Sequence, residues 1–378
     1  MDYAKRIRTL RGKMEQQGLA AMFVGANAGW EYLTGTKRIG ECPTRQRQNS
    51  LEYASLLVTE KDVVLFIPRL TGLGVLPFLP ADTVVTRQAV FSDPDLDGST
   101  FTDTCRALGL AGKRVGVNRD LSATAVLCLQ TRLGCTVQEQ SALLDAMRAV
   151  KDADEIALMR KNSAIADAVY SEIMPQVRPG VPVRELEIEI EKLFAKHGCS
   201  MPSFPAEVIV LGPQSGPVFG MNYDHVEKGY TLAFDFGGVF GGYCSDFGRT
   251  VFVGEPEPDF LKIHALVMAA QKAGMDAFRP GVSTGEEVNR AARRVIEEAG
   301  LGEKFIHRLG HGIGKDVHER PFLAMGETTV TQPGMTFTVE PSIVIVRRCC
   351  IRVEDVVLVT DTGCEPLSNT TRDVVVVE

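Results

Sequence analysis

Two aspartates, Asp235 and Asp246, lie in the stretch AFDFGGVFGGYCSDFG, residues 233–248, among aromatics and glycines. An ionised carboxylate placed among apolar neighbours is costly unless something compensates it. A cation faced by both would do so; taken singly, each aspartate is equally suited to a turn or a cap. They are eleven residues apart, and on one uninterrupted strand an odd spacing puts side chains on opposite faces. The Gly237-Gly238 and Gly241-Gly242 pairs supply a bend or bulge between them, so that the carboxylates can converge. His311 stands between glycines in HRLGHGIG, with His307 four residues before it and His318 seven after. Three of the six histidines thus fall within twelve residues. Histidine is the commonest metal ligand and a usual acid or base. Glu340, in MTFTVEPSIVI, is the one charged residue in an apolar strand-like run, flanked by Phe337, Val339, Ile343, Val344 and Ile345. Glu354, in CIRVEDVVLVT, repeats that situation, with Asp355 beside it. For either glutamate a buried ion pair is as good a reading as a metal, and Arg352, two residues before Glu354 on the same strand face, is a candidate partner.

Together these positions offer two aspartates, one histidine and two glutamates. Mostly oxygen donors with one imidazole suit borderline-hard divalent ions such as Mn²⁺, Co²⁺, Fe²⁺ or Zn²⁺. Four carboxylates are too many negative charges for one divalent ion, whereas two ions roughly 3.5 Å apart would balance them. Such a pair activates water and polarises a carbonyl, which points to hydrolysis of an amide, peptide or related C–N bond.

These ligands must be held by a large frame. A chain of 378 residues has two domains as its prior. The net charge of −7 and pI near 5.6 argue against a nucleic-acid partner, which needs a basic face. No apolar run approaches the ~20 residues that span a bilayer. The charged, helical N-terminus lacks the apolar core of a signal peptide. Nine cysteines, scattered apart from Cys349-Cys350 and without a C-x-x-C pair, read as reduced thiols of a cytoplasmic protein. Cys244, between the two aspartates, reads as a small buried strand residue.

Along the first 147 residues, strands and helices alternate. Ile7, Leu10 and Met14 mark a helix stopped by Gly18, and AAMFVG reads as a buried strand. NAGWEYLTG, residues 27–35, is expected to be a loop, with Trp30 as core or interface packing. KRIGECPTRQRQNS, residues 37–50, is too polar for core and is expected to be a mobile loop. EYASLLVT and DVVLFIP read as a hairpin. RVGVN is a further strand and Leu121–Arg132 a helix. No glycine-rich phosphate fingerprint follows any strand. At residue 148 the texture changes. RAVKDADEIALMRKN opens a long helix with acids in its first turns, and Val183–Lys196 is a second helix ended by Gly198. Strands follow at residues 206–211 and 229–253. Asp259–Ala273 is helical, and Ser283 with Glu286 is expected to form a capping box for the next helix. Strands return around residues 335–360. The recurrence of two helices followed by strands suggests a weak internal repeat, one that letter identity is too low to establish.

DFG…GYCSDFGRT, GHGIG…HERP, TVEP and RVEDVVLVT resemble the motifs of the pita-bread metallohydrolases, the family of methionine aminopeptidase, aminopeptidase P, prolidase and creatinase. RAVKDADEIALMRKN is similar to the start of that domain in the aminopeptidase P and prolidase branch. GWEYLTG and the region before it resemble the creatinase-type N-terminal domain. The resemblance implies an α/β (α+β) chain: a creatinase-like domain over residues 1–147, then a pita-bread catalytic domain over residues 148–378. It implies two divalent metal ions (Mn, Co, Zn or Fe). Asp235 would bind one and Asp246 both; His311 and Glu340 would complete one site, and Glu354 would bridge. His318 resembles the histidine that hydrogen-bonds the substrate carbonyl or the tetrahedral intermediate. His307 resembles a pocket histidine, and Arg352 a residue that orients the bridging glutamate. A homodimer is also implied.

One departure stands out. The peptidases carry a histidine about seventeen residues before the first metal aspartate, where this chain has Pro217-Val218-Phe219. His225, after MNYD, is the nearby candidate to replace it. The leading expectation is a metal-dependent Xaa-Pro aminopeptidase or dipeptidase. The altered segment favours the alternative, a small-molecule C–N hydrolase resembling creatinase or ectoine hydrolase. A binding module that kept only the fold is the third reading, and five retained ligands weigh against it. The substrate is thus a small peptide or small molecule, with neither nucleic acid nor membrane as partner.

Overall fold

A computed structural model describes residues 1–36, 52–79, 82–91, 98–216 and 225–378. The polar stretch 37–50 and the segment 217–224 therefore lie outside the described residues, apart from His225 just beyond the latter. The chain divides into two compact units, Met1–Arg148 and Ala149–Glu378.

In the first unit, Asp2 caps the helix Tyr3–Gln16 by accepting from the Lys5 N–H, and Ile7, Leu10 and Met14 face inward at helical spacing. Gly18, at φ +62°, lets the chain leave that helix. Among the described residues the sheet has six strands, in the order Arg87–Phe91, Val63–Pro68, Ser55–Thr59, Ala21–Gly25, Arg114–Val117 and Thr136–Glu139. The expected hairpin is present, pairing Ser55 with Phe66 through Val58 with Val63. The central strand Ala21–Gly25 is buried on both faces, each covered by its own apolar cluster. Residues 27–35 are not a loop. Asn27 accepts from the Gly29 N–H, Ala28–Thr34 is helical, and Gly35 ends it at φ +71°. Seven residues, all buried, are too few to show an amphipathic period, so only the cap and stop could have announced this helix. Trp30 is fully buried in the core.

The second unit holds two helix pairs, each packed on its own sheet with its own apolar core. Asp152 and Glu155 form a capping box for the helix Ala153–Ile173, which neighbours the helix Val183–Lys196. Their sheet runs Val375–Val377, Phe247–Val253, Thr231–Phe236, Glu207–Leu211. The second pair is Pro258–Asp276 and Gly285–Glu298. Its capping box is Thr284 with Glu287, one residue beyond the expected Ser283 and Glu286. Ser283 instead uses its hydroxyl to accept from the Arg279 N–H and to meet Thr331. The second sheet runs Glu319–Leu323, Gly310–Gly312, Thr336–Val339, Asp355–Val359, Cys364–Pro366. The hairpin of Ser342–Ile345 and Cys349–Arg352 lies in sequence between two of its strands. The Glu354 N–H donates to the Gly248 carbonyl at 2.9 Å and ties the two sheets together. The helix-helix-sheet order therefore does occur twice, as a recurrence of architecture.

Candidate metal centre

The site grows from this junction. Asp235 sits near the end of the strand Thr231–Phe236, whose side chains alternate: Leu232, Phe234 and Phe236 enter the first core, Ala233 and Asp235 the other face. Beyond Phe236 the chain makes a small hairpin, Gly238–Phe240 with Tyr243–Cys244, closed by Gly241 and Gly242 at φ +59° and +79°. It returns so that Gly248 pairs with Asp235 and Phe247 with Phe236. Asp246, just before the returning strand, thereby reaches the same pocket. Glu354 approaches across Gly248, where an added Cβ would lie 2.8 Å from Glu354 Oε2. Only glycine at that position leaves room for the glutamate.

Side-chain oxygens of Asp235, Asp246 and Glu354 lie within 4.8 Å of one another. His311 Nε2 is 3.5 Å from Asp246 Oδ2 and 3.4 Å from Glu340 Oε1. The other ring nitrogen, Nδ1, is 3.1 Å from the Gly312 carbonyl. A carbonyl only accepts, so Nδ1 carries the proton and the Nε2 lone pair faces the carboxylates, the tautomer a metal requires. Glu340 follows the strand Thr336–Val339, and its Oε1 accepts from the Thr338 hydroxyl at 3.1 Å.

The cavity these groups share is about 640 Å³ and also exposes Glu207, His307, Arg308, His318 and Arg352. His318 stands edge-on to His311, ring centres 4.2 Å apart. Its turn is braced from behind: Glu319 is buried and accepts from Lys151 Nζ at 3.2 Å and from the Asp316 N–H at 3.1 Å. His307 has both ring nitrogens engaged, Nδ1 with the Arg308 carbonyl and Nε2 with the Ser342 hydroxyl. Arg352 does not pair with Glu354 as the same-strand spacing had suggested; its guanidinium contacts Asp235. His225 is not brought into the cavity: it is exposed and bridges Pro182 through its backbone.

The electrostatics are those of a site with more carboxylates than Arg352 and Arg308 can compensate. Burial, then Asp235 and Glu340, pushes the Asp246 carboxyl well above its usual range. Glu354 is pushed up by burial and then by Asp246. Burial raises Glu340 to about 7. Burial also lowers His311 to about 3 and His307 to about 4, keeping both imidazoles neutral. Asp246 Oδ1 and Glu354 Oε2 are buried with no hydrogen-bond partner. Buried acceptors are ordinarily satisfied, so two orphaned oxygens beside a free imidazole lone pair fit a divalent cation bound among them.

Sequence reading overlooked the support behind Glu354. Arg249 and Asp355 are buried and joined at 2.9 Å. Arg249 also donates to the Glu354 and Gly248 carbonyls, while Asp355 accepts from Gln271 at 2.8 Å and Arg372 at 2.7 Å. An arginine and an aspartate in apolar strands were the available signal. Arg249→Met is expected to lower stability by on the order of 3–5 kcal/mol, because it leaves Asp355 buried without one of its cations. Chemical denaturation measures this; a loss within 1 kcal/mol, the rough worth of an exposed pair, would contradict it.

Comparison with known proteins agrees with this architecture. Residues 157–361 match the model of metallopeptidase family M24, and residues 6–150 match the creatinase/prolidase N-terminal domain. The chain is 32% identical over 377 residues to the probable dipeptidase PepE of Mycobacterium tuberculosis, covering 99% of this chain and 96% of that protein. Among solved structures, a prolidase from Thermococcus sibiricus superposes with a TM-score of 0.88 at 28% identity, with full coverage of both chains. The Xaa-Pro dipeptidase from Bacillus anthracis gives 0.85 at 27% identity, also over both full chains. The expected fold class, a creatinase-type N-terminal domain before a pita-bread domain, is thereby shown. No described helix is long and apolar enough to cross a membrane. The chain belongs to metallopeptidase family M24, and it is a metal-dependent hydrolase.

Proposed function

We propose that this chain is a cytoplasmic, homodimeric dipeptidase that cleaves Xaa-Pro dipeptides with two divalent ions, manganese first among Mn, Co, Zn and Fe. The convergence of Asp235, Asp246, Glu354, Glu340 and the His311 Nε2 lone pair carries the reading, with relatives that are named dipeptidase, prolidase and Xaa-Pro dipeptidase in support. Asp246 is the proposed shared ligand, since it belongs to the cluster with Asp235 and Glu354 and also lies 3.5 Å from His311 Nε2. Bound there, the ions would polarise the scissile carbonyl and lower the pKa of water. The remaining work falls to the protein. Arg352 holds Asp235 in place. His318, which burial and then the Arg308 charge keep below the usual histidine range, is neutral and offers one N–H to the carbonyl oxygen as charge develops on it. His307 lines the cavity and acts as a positioning residue, its ring fixed by the Arg308 carbonyl and the Ser342 hydroxyl.

The proton balance gives a test that needs no substrate. With Glu340 raised from 4.5 to about 7, the metal-free folded state holds protons that the unfolded chain has released. Its stability therefore falls as pH rises across that interval, and metal must displace those protons. Calorimetric Mn²⁺ titration at pH 6 in two buffers of different ionisation enthalpy is expected to show proton release and tighter binding at higher pH. Heats independent of buffer would contradict it.

The Val218-Phe219 departure keeps a small-molecule C–N hydrolase as the second reading. Assay of the manganese-loaded protein against Xaa-Pro dipeptides beside small amides, guanidines and cyclic amidines separates them. Turnover of the dipeptides supports the first reading; turnover confined to the small-molecule panel replaces it. His225 stands at an exposed position, and a role for it is dropped if His225→Ala turns over normally.

A further inference from the structure

The hairpin that carries the chain from Asp235 to Asp246 is too short to hold its own shape. Its strands, Gly238–Phe240 and Tyr243–Cys244, pair only Val239 with Cys244 and Phe240 with Tyr243. A further strand, Met201–Pro202, pairs with the first of them, which leaves Tyr243–Cys244 at the edge. Asp246 hangs between that edge strand and Phe247, where the long pairing with Thr231–Phe236 begins. One of its two anchors is therefore a sheet and the other a fragment. The helix Ala153–Ile173 grips the fragment from one side with residues spaced i, i+3 and i+7. Glu155 accepts from the Tyr243 hydroxyl at 2.7 Å, Leu158 packs where a Cβ on Gly241 would lie, and Asn162 comes next.

Asn162 is fully buried, and its side-chain nitrogen donates to the Gly238 carbonyl at 2.7 Å and to the Tyr243 carbonyl at 2.8 Å. Carbonyls only accept, so the NH₂ end must face them, and its two N–H groups are both used, one on each arm of the hairpin. A helix side chain thus supplies the cross-link that so short a ladder lacks. On the other side, the Cys244 N–H donates to the Gly314 carbonyl at 2.7 Å, in the loop between His311 and His318. We propose that Asn162 is a positioning residue for the metal centre. By fixing the hairpin it sets where the Asp246 carboxylate lies, and with it the affinity for divalent ions. The assignment rests on Asp246 being a ligand.

The test is calorimetric titration of Mn²⁺ into chelated wild type, Asn162→Ala and Leu186→Ala, at a temperature where all three are folded. Alanine at 162 removes both donors without adding bulk. Leu186, buried in the apolar core on the neighbouring helix, has no donor to offer the hairpin, so its truncation lowers stability and leaves the cross-link in place. Asn162→Ala is expected to weaken Mn²⁺ binding on the order of ten- to a hundredfold. Leu186→Ala should lower the melting temperature of the chelated protein with affinity nearly unchanged. Unchanged affinity in Asn162→Ala, or an equal loss in Leu186→Ala, would overturn the assignment while leaving the metal centre intact. Wild type that takes up no Mn²⁺ would overturn the metal centre and the assignment with it. Should Asn162→Ala not fold, Asn162→Ser, which keeps one donor for one arm, is expected to show a smaller loss of affinity, and no loss overturns the assignment.

Discussion

Asp246→Ala is expected to empty the metal centre and reduce hydrolysis to background. Asp246 belongs to the carboxylate cluster and also faces the imidazole, so its loss would weaken both proposed ion positions at once. The cost differs from that of an ordinary core mutation. In the metal-free protein Asp246 is buried, repelled by Asp235 and Glu340, and has one oxygen with no partner. Removing it relieves a penalty that only a cation offsets. The chelated variant should therefore be at least as heat-stable as chelated wild type, whereas added Mn²⁺ should stabilise wild type alone. Metal analysis, turnover and calorimetry read the three effects. A variant that keeps about two ions per chain and its activity would remove Asp246 from the centre.

His318→Ala separates chemistry from metal binding. The ring touches His311 but offers no atom to the carboxylate cluster, and its turn is held by the buried Glu319 and Lys151 pair. Truncation therefore leaves fold and metal content in place. Loss of one preorganised donor to a developing oxyanion costs about a hundred- to a thousandfold in kcat. The fall should appear in kcat with KM nearly unchanged, because the donor acts on charge that exists only in the transition state. Loss of metal along with activity would make His318 a structural support instead. An unchanged kcat would remove it from the reaction.

How much of this was legible in the sequence depends on what burial makes conspicuous. A carboxylate inside an apolar strand is an anomaly visible in the letters, and Asp235, Asp246, Glu340 and Glu354 were each read that way. The histidine cluster was visible as density along the chain. Partners across strands were not visible. The spacing along the strand suggests Glu354, two residues away, as the partner of Arg352, but packing of the strand Cys349–Arg352 on Thr231–Phe236 places it against Asp235, 117 residues earlier. The Arg249–Asp355 support went unread for the same reason. Local chemistry also misled at short range. The helix Ala28–Thr34 is too brief for periodicity to show, and Ser283-x-x-Glu286 matched the capping pattern one residue ahead of the pair that forms it.

The central claim is that paired divalent ions in this carboxylate cluster drive dipeptide hydrolysis. Stepwise addition of Mn²⁺ to chelated protein, with turnover of an Xaa-Pro dipeptide followed at each step, tests it most directly. Activity absent at the start, rising with metal and levelling at about two equivalents per chain, is the expected course. Full turnover by the chelated protein, or metal uptake without any hydrolysis, would contradict it.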